Sequence, residues 1–175
     1  LFNGKEDDLL SFLNRIKAPV IETRPVPAVW VAAGNCLIGD AKKTKNSMAV
    51  TALSRYGFNQ LVGYTVPSWY GKGGWGTLGL LFSNHDASSL AEAWYLNNQF
   101  ILDETMTRFP KLMDVHFNSP DINGIKDDPD FARGMNSAGY GMGKDQLGLI
   151  HDRDTVAFYG DPAWTARLDE SRAPS

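Results

Sequence analysis

The chain has 175 residues, 43% of them apolar and 21% charged, enough for one domain that buries roughly 70% of its unfolded surface. Seventeen Lys and Arg against twenty Asp and Glu leave a net charge of −3, the wrong sign for neutralising phosphates, so nucleic acid is not an expected partner. The longest apolar runs, Ala28 to Gly34 and Gly79 to Phe82, fall far short of the ~20 residues of a membrane span, and a single cysteine supports neither an intramolecular disulfide nor a cysteine-rich zinc site.

Leu1 to Asp8 carry neither an initiator Met nor a signal pattern and read as a cut point inside a longer chain. Behind the acidic turn Glu6-Asp7-Asp8, the residues Leu9, Leu10, Phe12, Leu13 and Ile16 recur at helical spacing and predict an amphipathic helix over about 6–17, ending before Pro19. After the Pro-rich link 19–27, Ala28 to Gly34 is short and continuously apolar, as expected of a central parallel strand buried on both faces. Ser47 can cap a helix with Met48, Ala49, Ala52, Leu53 and Tyr56 on its inner face, and Gly57 can close it in the left-handed conformation. The next strand is predicted at 60–66.

Strand, helix and strand over this length make a βαβ unit with a right-handed crossover, hence an α/β fold with a mostly parallel sheet flanked by helices. Pro67 to Gly76 holds four glycines with Trp69, Tyr70 and Trp75 and is predicted as an aromatic loop, followed by a short apolar segment at 78–82. A long helix is expected from Asp86 or Ser88 to about Phe109, ended by Pro110. Residues 111–138 are rich in Asn, Asp, Pro and Gly and predict an irregular excursion. Thr155 to Tyr159 and Ala163 to Leu168 read as two short strands hinged at Gly160-Asp161-Pro162.

In open α/β sheets ligands gather at the carboxyl ends of the strands, and Cys36 lies two residues past the end of the first predicted strand. A thiol on such a turn can act as a nucleophile, although free cysteine also serves as a small buried filler. Trp69, Tyr70 and Trp75 can anchor a core or wall a pocket. His85, His116 and His151 have ordinary readings: one before a helix, one near a turn, and one in a polar link into a strand. Asp121, Asp127, Asp128 and Asp130 are oxygen ligands suited to calcium, or a solvated turn. Gly139 to Asp145 lacks the spacing of a phosphate-binding loop, and Gly71 to Gly76 is read as opening no helix, so neither suggests a nucleotide cofactor.

Taken in order, Val29-Trp30-Val31-Ala32-Ala33-Gly34-Asn35-Cys36, Ser47-Met48-Ala49, Gly63-Tyr64 and Phe158-Tyr159-Gly160-Asp161-Pro162-Ala163 resemble the carboxyl half of a gingipain-like cysteine peptidase domain, of caspase-like fold. The resemblance spans roughly residues 28–168. It implies that residues 1–175 are the carboxyl-terminal portion of a single peptidase domain, incomplete at its amino end. It further implies hydrolysis of peptide bonds by a Cys-His dyad, with Cys36 as nucleophile and its backbone N–H in the oxyanion site. Trp69, Tyr70 and Trp75 would contact a peptide or protein substrate. No cofactor is implied beyond the calcium that some such domains hold, and the setting would be extracytoplasmic or secreted, in bacteria.

That family places its catalytic His ahead of the Cys, whereas all three histidines here follow Cys36. The expectation is that the base lies on an upstream part of the same protein. The alternative is an inactive caspase-like module that binds peptide or glycan through the aromatic loop.

Overall fold

The computed structural model describes residues 28–34, 36–41, 47–68, 70–83, 88–117, 129–141 and 143–165. The helix expected over 6–17 lies outside them. The described chain runs β1 (Ala28–Val31), α1 (Met48–Arg55), β2 (Phe58–Tyr64), α2 (Lys72–Ser83), α3 (Leu90–Arg108), a 3-10 turn at Pro110–Asp114, α4 (Pro129–Ala138), α5 (Lys144–Thr155) and β3 (Val156–Gly160).

β1 and β2 pair in parallel, with Trp30 opposite Leu61 and Val31 opposite Val62, as the βαβ reading requires. α1 forms where expected: Ser47 accepts from Val50 N–H at 3.3 Å and Gly57 adopts φ 69°. Such a cap contributes about 1 kcal/mol. β3 then adds to the far side of β2 in antiparallel register, Leu61 opposite Tyr159 and Tyr64 opposite Val156. The fold is α/β, and the described sheet is a mixed one of order β1-β2-β3, with one parallel and one antiparallel pairing. Within it β1 is an edge strand rather than a central one.

Alternation along the strands sends successive side chains into two layers. Leu61 and Trp30 pack with Ile38, Met48, Ala49 and Ala52 beneath α1. Val62, Tyr64 and Val156 pack with Leu81, Leu90 and Ala93 beneath α2 and α3. Both faces of the short β1 thus meet packed clusters, but all four of its residues are only half-buried, not fully buried as its unbroken apolar run predicts. A third cluster, with Val66, Leu112, Phe117, Phe131, Met135 and Ile150, fills the space beyond the carboxyl end of β2.

Three expectations are corrected. Residues 72–83 are helix, not loop followed by a separate apolar segment, and the glycine-rich stretch does open it. Glycine's low helix propensity is overridden by packing: a Cβ on Gly73 would sit 2.4 Å from Val156 Cγ2, one on Gly74 2.1 Å from the Ala33 carbonyl oxygen, and one on Gly76 2.0 Å from Asn97 Oδ1. The second correction is that the supposed irregular stretch contains the 3-10 turn and α4, because its apolar residues Phe131, Met135 and Ala138 recur at helical spacing and are buried. Third, residues 163–165 form no strand. The turn there is held by Gln60, whose buried Nε2 donates to Asp161 O at 2.7 Å and Trp164 O at 2.8 Å. The long helix is borne out, with Ser89 and Glu92 forming a reciprocal capping box.

Two glycines of α2 therefore separate by consequence. Gly79 has open space where a Cβ would go, so Gly79→Ala should raise stability by about 0.5–1 kcal/mol. Gly74→Ala should lower it by about 1–3 kcal/mol through overpacking. Urea denaturation followed by circular dichroism reads both.

Candidate functional site around Cys36

Beyond Val31 the chain keeps its course alongside β2. Ala32 N–H donates to Val62 O at 2.9 Å, Gly39 N–H to Tyr64 O at 2.9 Å and Leu37 N–H to Val66 O at 3.4 Å. This carries a tight turn over residues 36–39 to the carboxyl end of the parallel pair. The approach is close enough that a Cβ on Gly39 would lie 2.4 Å from Gly63 O. Leu37 occupies the left-handed region at φ 62°, a conformation that side chains other than Gly, Asn and Asp rarely take. Strain of this kind persists where surrounding contacts enforce it.

Cys36 lies on this turn, half-buried. Its sulfur is gripped by one residue: Ser68 N–H donates to Sγ at 3.2 Å, and Ser68 O and Oγ lie 3.6 Å and 3.7 Å away. Ser68 Oγ also donates to Gly34 O at 3.0 Å, bridging the two sides of the turn. The indole of Trp75 overhangs the same place, with Nε1 3.3 Å from the point a Gly34 Cβ would occupy, and it is 62% exposed.

The three aromatic candidates therefore separate. Trp75 stands beside the cysteine turn, on α2. Tyr70 faces α5: its ring fills the space left by Gly148, where a Cβ would come within 2.3 Å of it, and its hydroxyl donates to Asp145 Oδ1 at 3.1 Å. Trp69 lies outside the described residues. Lys72 pairs with Glu104 across to α3, and Arg108 joins Glu104 at 2.6 Å to Asp145 at 2.7 Å. The Lys72 hydrogen bond holds the Glu104 carboxyl below its usual range, and the Arg108 hydrogen bond does the same for Asp145.

Of the histidines, His85 lies outside the described residues. His116 is exposed, its Nδ1 3.7 Å from Asp154 Oδ2. His151 is not in a polar link: it sits within α5 with no exposed side-chain surface. Its Nδ1 lies 3.0 Å from Asp152 Oδ1 and its Nε2 3.1 Å from Pro67 O. Tyr64 stacks on the ring with centroids 6.0 Å apart, and Phe117 meets it edge-on at 5.3 Å.

Asp152 is equally buried, and its Oδ2 accepts from Gly73 N–H at 2.8 Å and Tyr64 O–H at 3.2 Å, while Gly74 N–H donates to the Tyr64 oxygen at 3.2 Å. The carboxylate thus caps the amino end of α2 from a distant part of the chain, where the helix dipole favours negative charge. Burial, reinforced by the Asp152 charge, pushes the Tyr64 phenol well above its ordinary range. Sequence reading missed this network. Its one signal was a His-Asp pair in a segment whose neighbours Leu149 and Ile150 are apolar.

Among the described residues no group of three or more His, Cys, Asp or Glu converges as a metal site would require. Asp130 is exposed and paired with Arg133, and Asp121, Asp127 and Asp128 lie outside the described residues. No helix among those described is long and apolar enough to cross a membrane. Comparison with known proteins found no matching family model, no matching curated protein and no matching solved structure.

Two measurements probe this assembly. Removing a buried carboxyl leaves its hydrogen-bond partners His151, Tyr64 and the Gly73 amide unsatisfied, so Asp152→Ala should cost at least about 1–3 kcal/mol in urea unfolding. Burial, followed by the Asp145 hydrogen bond, pushes the Tyr70 phenol up to about 12. Because the folded value is the raised one, its contribution to stability is fully present below the ordinary tyrosine value of about 10 and is lost as pH rises through about 12. Ultraviolet phenolate titration should show a tyrosine ionising near pH 12, and Tyr70→Phe should remove that component while leaving the still later ionisation of Tyr64.

Proposed function

We propose that the chain contributes the nucleophile-bearing half of a cysteine peptidase of the gingipain-like, caspase-like type, acting on peptide or protein substrates outside the cytoplasm. The observation that supports this most is the placement of Cys36: a half-buried thiol on a strained turn, at the carboxyl end of a parallel strand pair, with a backbone N–H donated to its sulfur. A thiolate held there can attack a peptide carbonyl, with the Cys36 backbone N–H facing the developing oxyanion. Trp75, and Trp69 six residues before it in sequence, would contact the substrate chain. Tyr70 is the weaker candidate, since its hydroxyl and ring are committed to α5.

The general base in this reading is a histidine on sequence ahead of Leu1. His151 is unsuited to the role: both ring nitrogens are engaged, neither with the thiol. An ordinary thiol is only a few per cent ionised at neutral pH, and loss of one member of a catalytic unit commonly costs about 10⁴ to 10⁶ in rate, so residues 1–175 alone should be nearly inert.

The second reading, an inactive module that binds peptide or glycan, draws on the exposed indole of Trp75. The two are separated by expressing the chain with the sequence that precedes Leu1 and exposing it to a peptidyl acyloxymethyl ketone. The peptidase reading expects covalent labelling that disappears in Cys36→Ala. Labelling that survives Cys36→Ala removes Cys36 as the nucleophile.

A further inference from the structure

The turn that carries Cys36 is pinned from outside on both sides by side-chain hydroxyls. Before the cysteine, Ser68 Oγ donates to Gly34 O at 3.0 Å; after it, the hydroxyl of Tyr159 donates to Gly39 O at 2.6 Å. Tyr159 belongs to β3, which β2 separates from β1 in the sheet. Two distant parts of the chain thus converge on two main-chain carbonyls that flank the thiol.

What lies between the pinned carbonyls needs enforcing. Leu37 has φ 62°, unfavourable for a leucine unless its surroundings impose it. Asp40 N–H closes the turn onto Leu37 O at 3.1 Å, and Ile38 is sunk in the cluster beneath α1. The serine that pins Gly34 also holds the sulfur: its N–H donates to Cys36 Sγ at 3.2 Å, and Sγ donates to its carbonyl oxygen at 3.6 Å. Fixing Ser68 to the end of the strand therefore fixes the groups against which the thiol rests. The ring of Tyr159 packs with Leu61 and its neighbours, so its hydroxyl is a hydrogen-bonding addition to a side chain already anchored by packing.

We infer that Ser68 and Tyr159 are positioning residues for Cys36: their hydroxyls hold the strained turn closed and keep the sulfur in one orientation against the Ser68 peptide. The consequence for catalysis rests on the peptidase reading, in which the closed turn aims the thiol and the Cys36 N–H at one carbonyl. The hold on the turn does not depend on it.

The test uses the whole chain, whose single cysteine makes any thiol reagent a report on Cys36 alone. In the wild-type protein, side-chain coupling constants should give a single χ1 rotamer for Cys36. Averaging over rotamers would overturn the inference, and this is decided without any variant having to fold. Ser68→Ala and Tyr159→Phe each remove one hydroxyl and little else. Each should speed amide exchange at Leu37 and Gly39, and iodoacetamide alkylation of Cys36, about twofold to tenfold, the factor that one ordinary hydrogen bond controls. The amides that join β2 to β3 should keep their wild-type rates. Ser68→Thr, which retains a hydroxyl, should restore wild-type alkylation. Unchanged exchange and alkylation, or an acceleration shared by the whole sheet, would overturn the positioning role. Iodoacetamide needs no substrate recognition, so these outcomes are independent of labelling by the peptidyl ketone.

Discussion

The arrangement depends on one buried carboxylate. Asp152 has no access to water, and a charge in that position is tolerated only where donors replace its hydration. It has them from three directions: the imidazole of His151 on α5, the phenol of Tyr64 at the end of β2, and the Gly73 amide at the start of α2. Satisfying one side chain therefore fixes the relative positions of a strand and two helices. It also explains the helix that sequence propensity argues against. The first turn of α2 must come close enough to give up its N–H groups, and only residues without a side chain permit that approach.

From that junction the cysteine turn is determined by short steps. Gly74 lies against the backbone of Ala33, Gly63 and Gly39 face one another at close range, and the peptide unit between residues 67 and 68 spans from the imidazole to the sulfur. The thiol is placed by main-chain groups on both sides rather than by the rotamers of long side chains. Trp75 on the same helix then brings an aromatic surface over Gly34. The tyrosine five residues earlier turns away to complete the contact with α5.

Much of the scaffold was legible in the sequence because its signals are local. The unbroken apolar run of β1, the Ser47 cap, the left-handed Gly57 and the helix opening near Ser89 each depend on a few adjacent residues, and together they specify the βαβ unit. The position of Cys36 past that strand was legible for the same reason. What failed depended on distant partners. Four glycines between aromatics look like a loop until Val156, Ala33 and Asn97 are placed against them. Asp-Pro-Asp ahead of Phe131 looks like turn chemistry, yet it opens α4. The antiparallel addition of β3 could not be foretold from a strand pattern that suits either direction. His151 and Asp152 carry polar labels that place them outside, and only their pairing with Tyr64, Gly73 and Pro67 makes burial tolerable.

The contact between Gly74 and Ala33 has a mechanical side. Where helices meet strands through leucines or methionines, a small shift of one element is absorbed by side-chain torsions before it reaches the other. Here main chain bears directly on main chain, with no such cushion between them. Any displacement of the first turn of α2, from whatever cause, is passed undamped to the stretch leading into the cysteine, so the helix and the turn that carries Cys36 move as one piece or not at all.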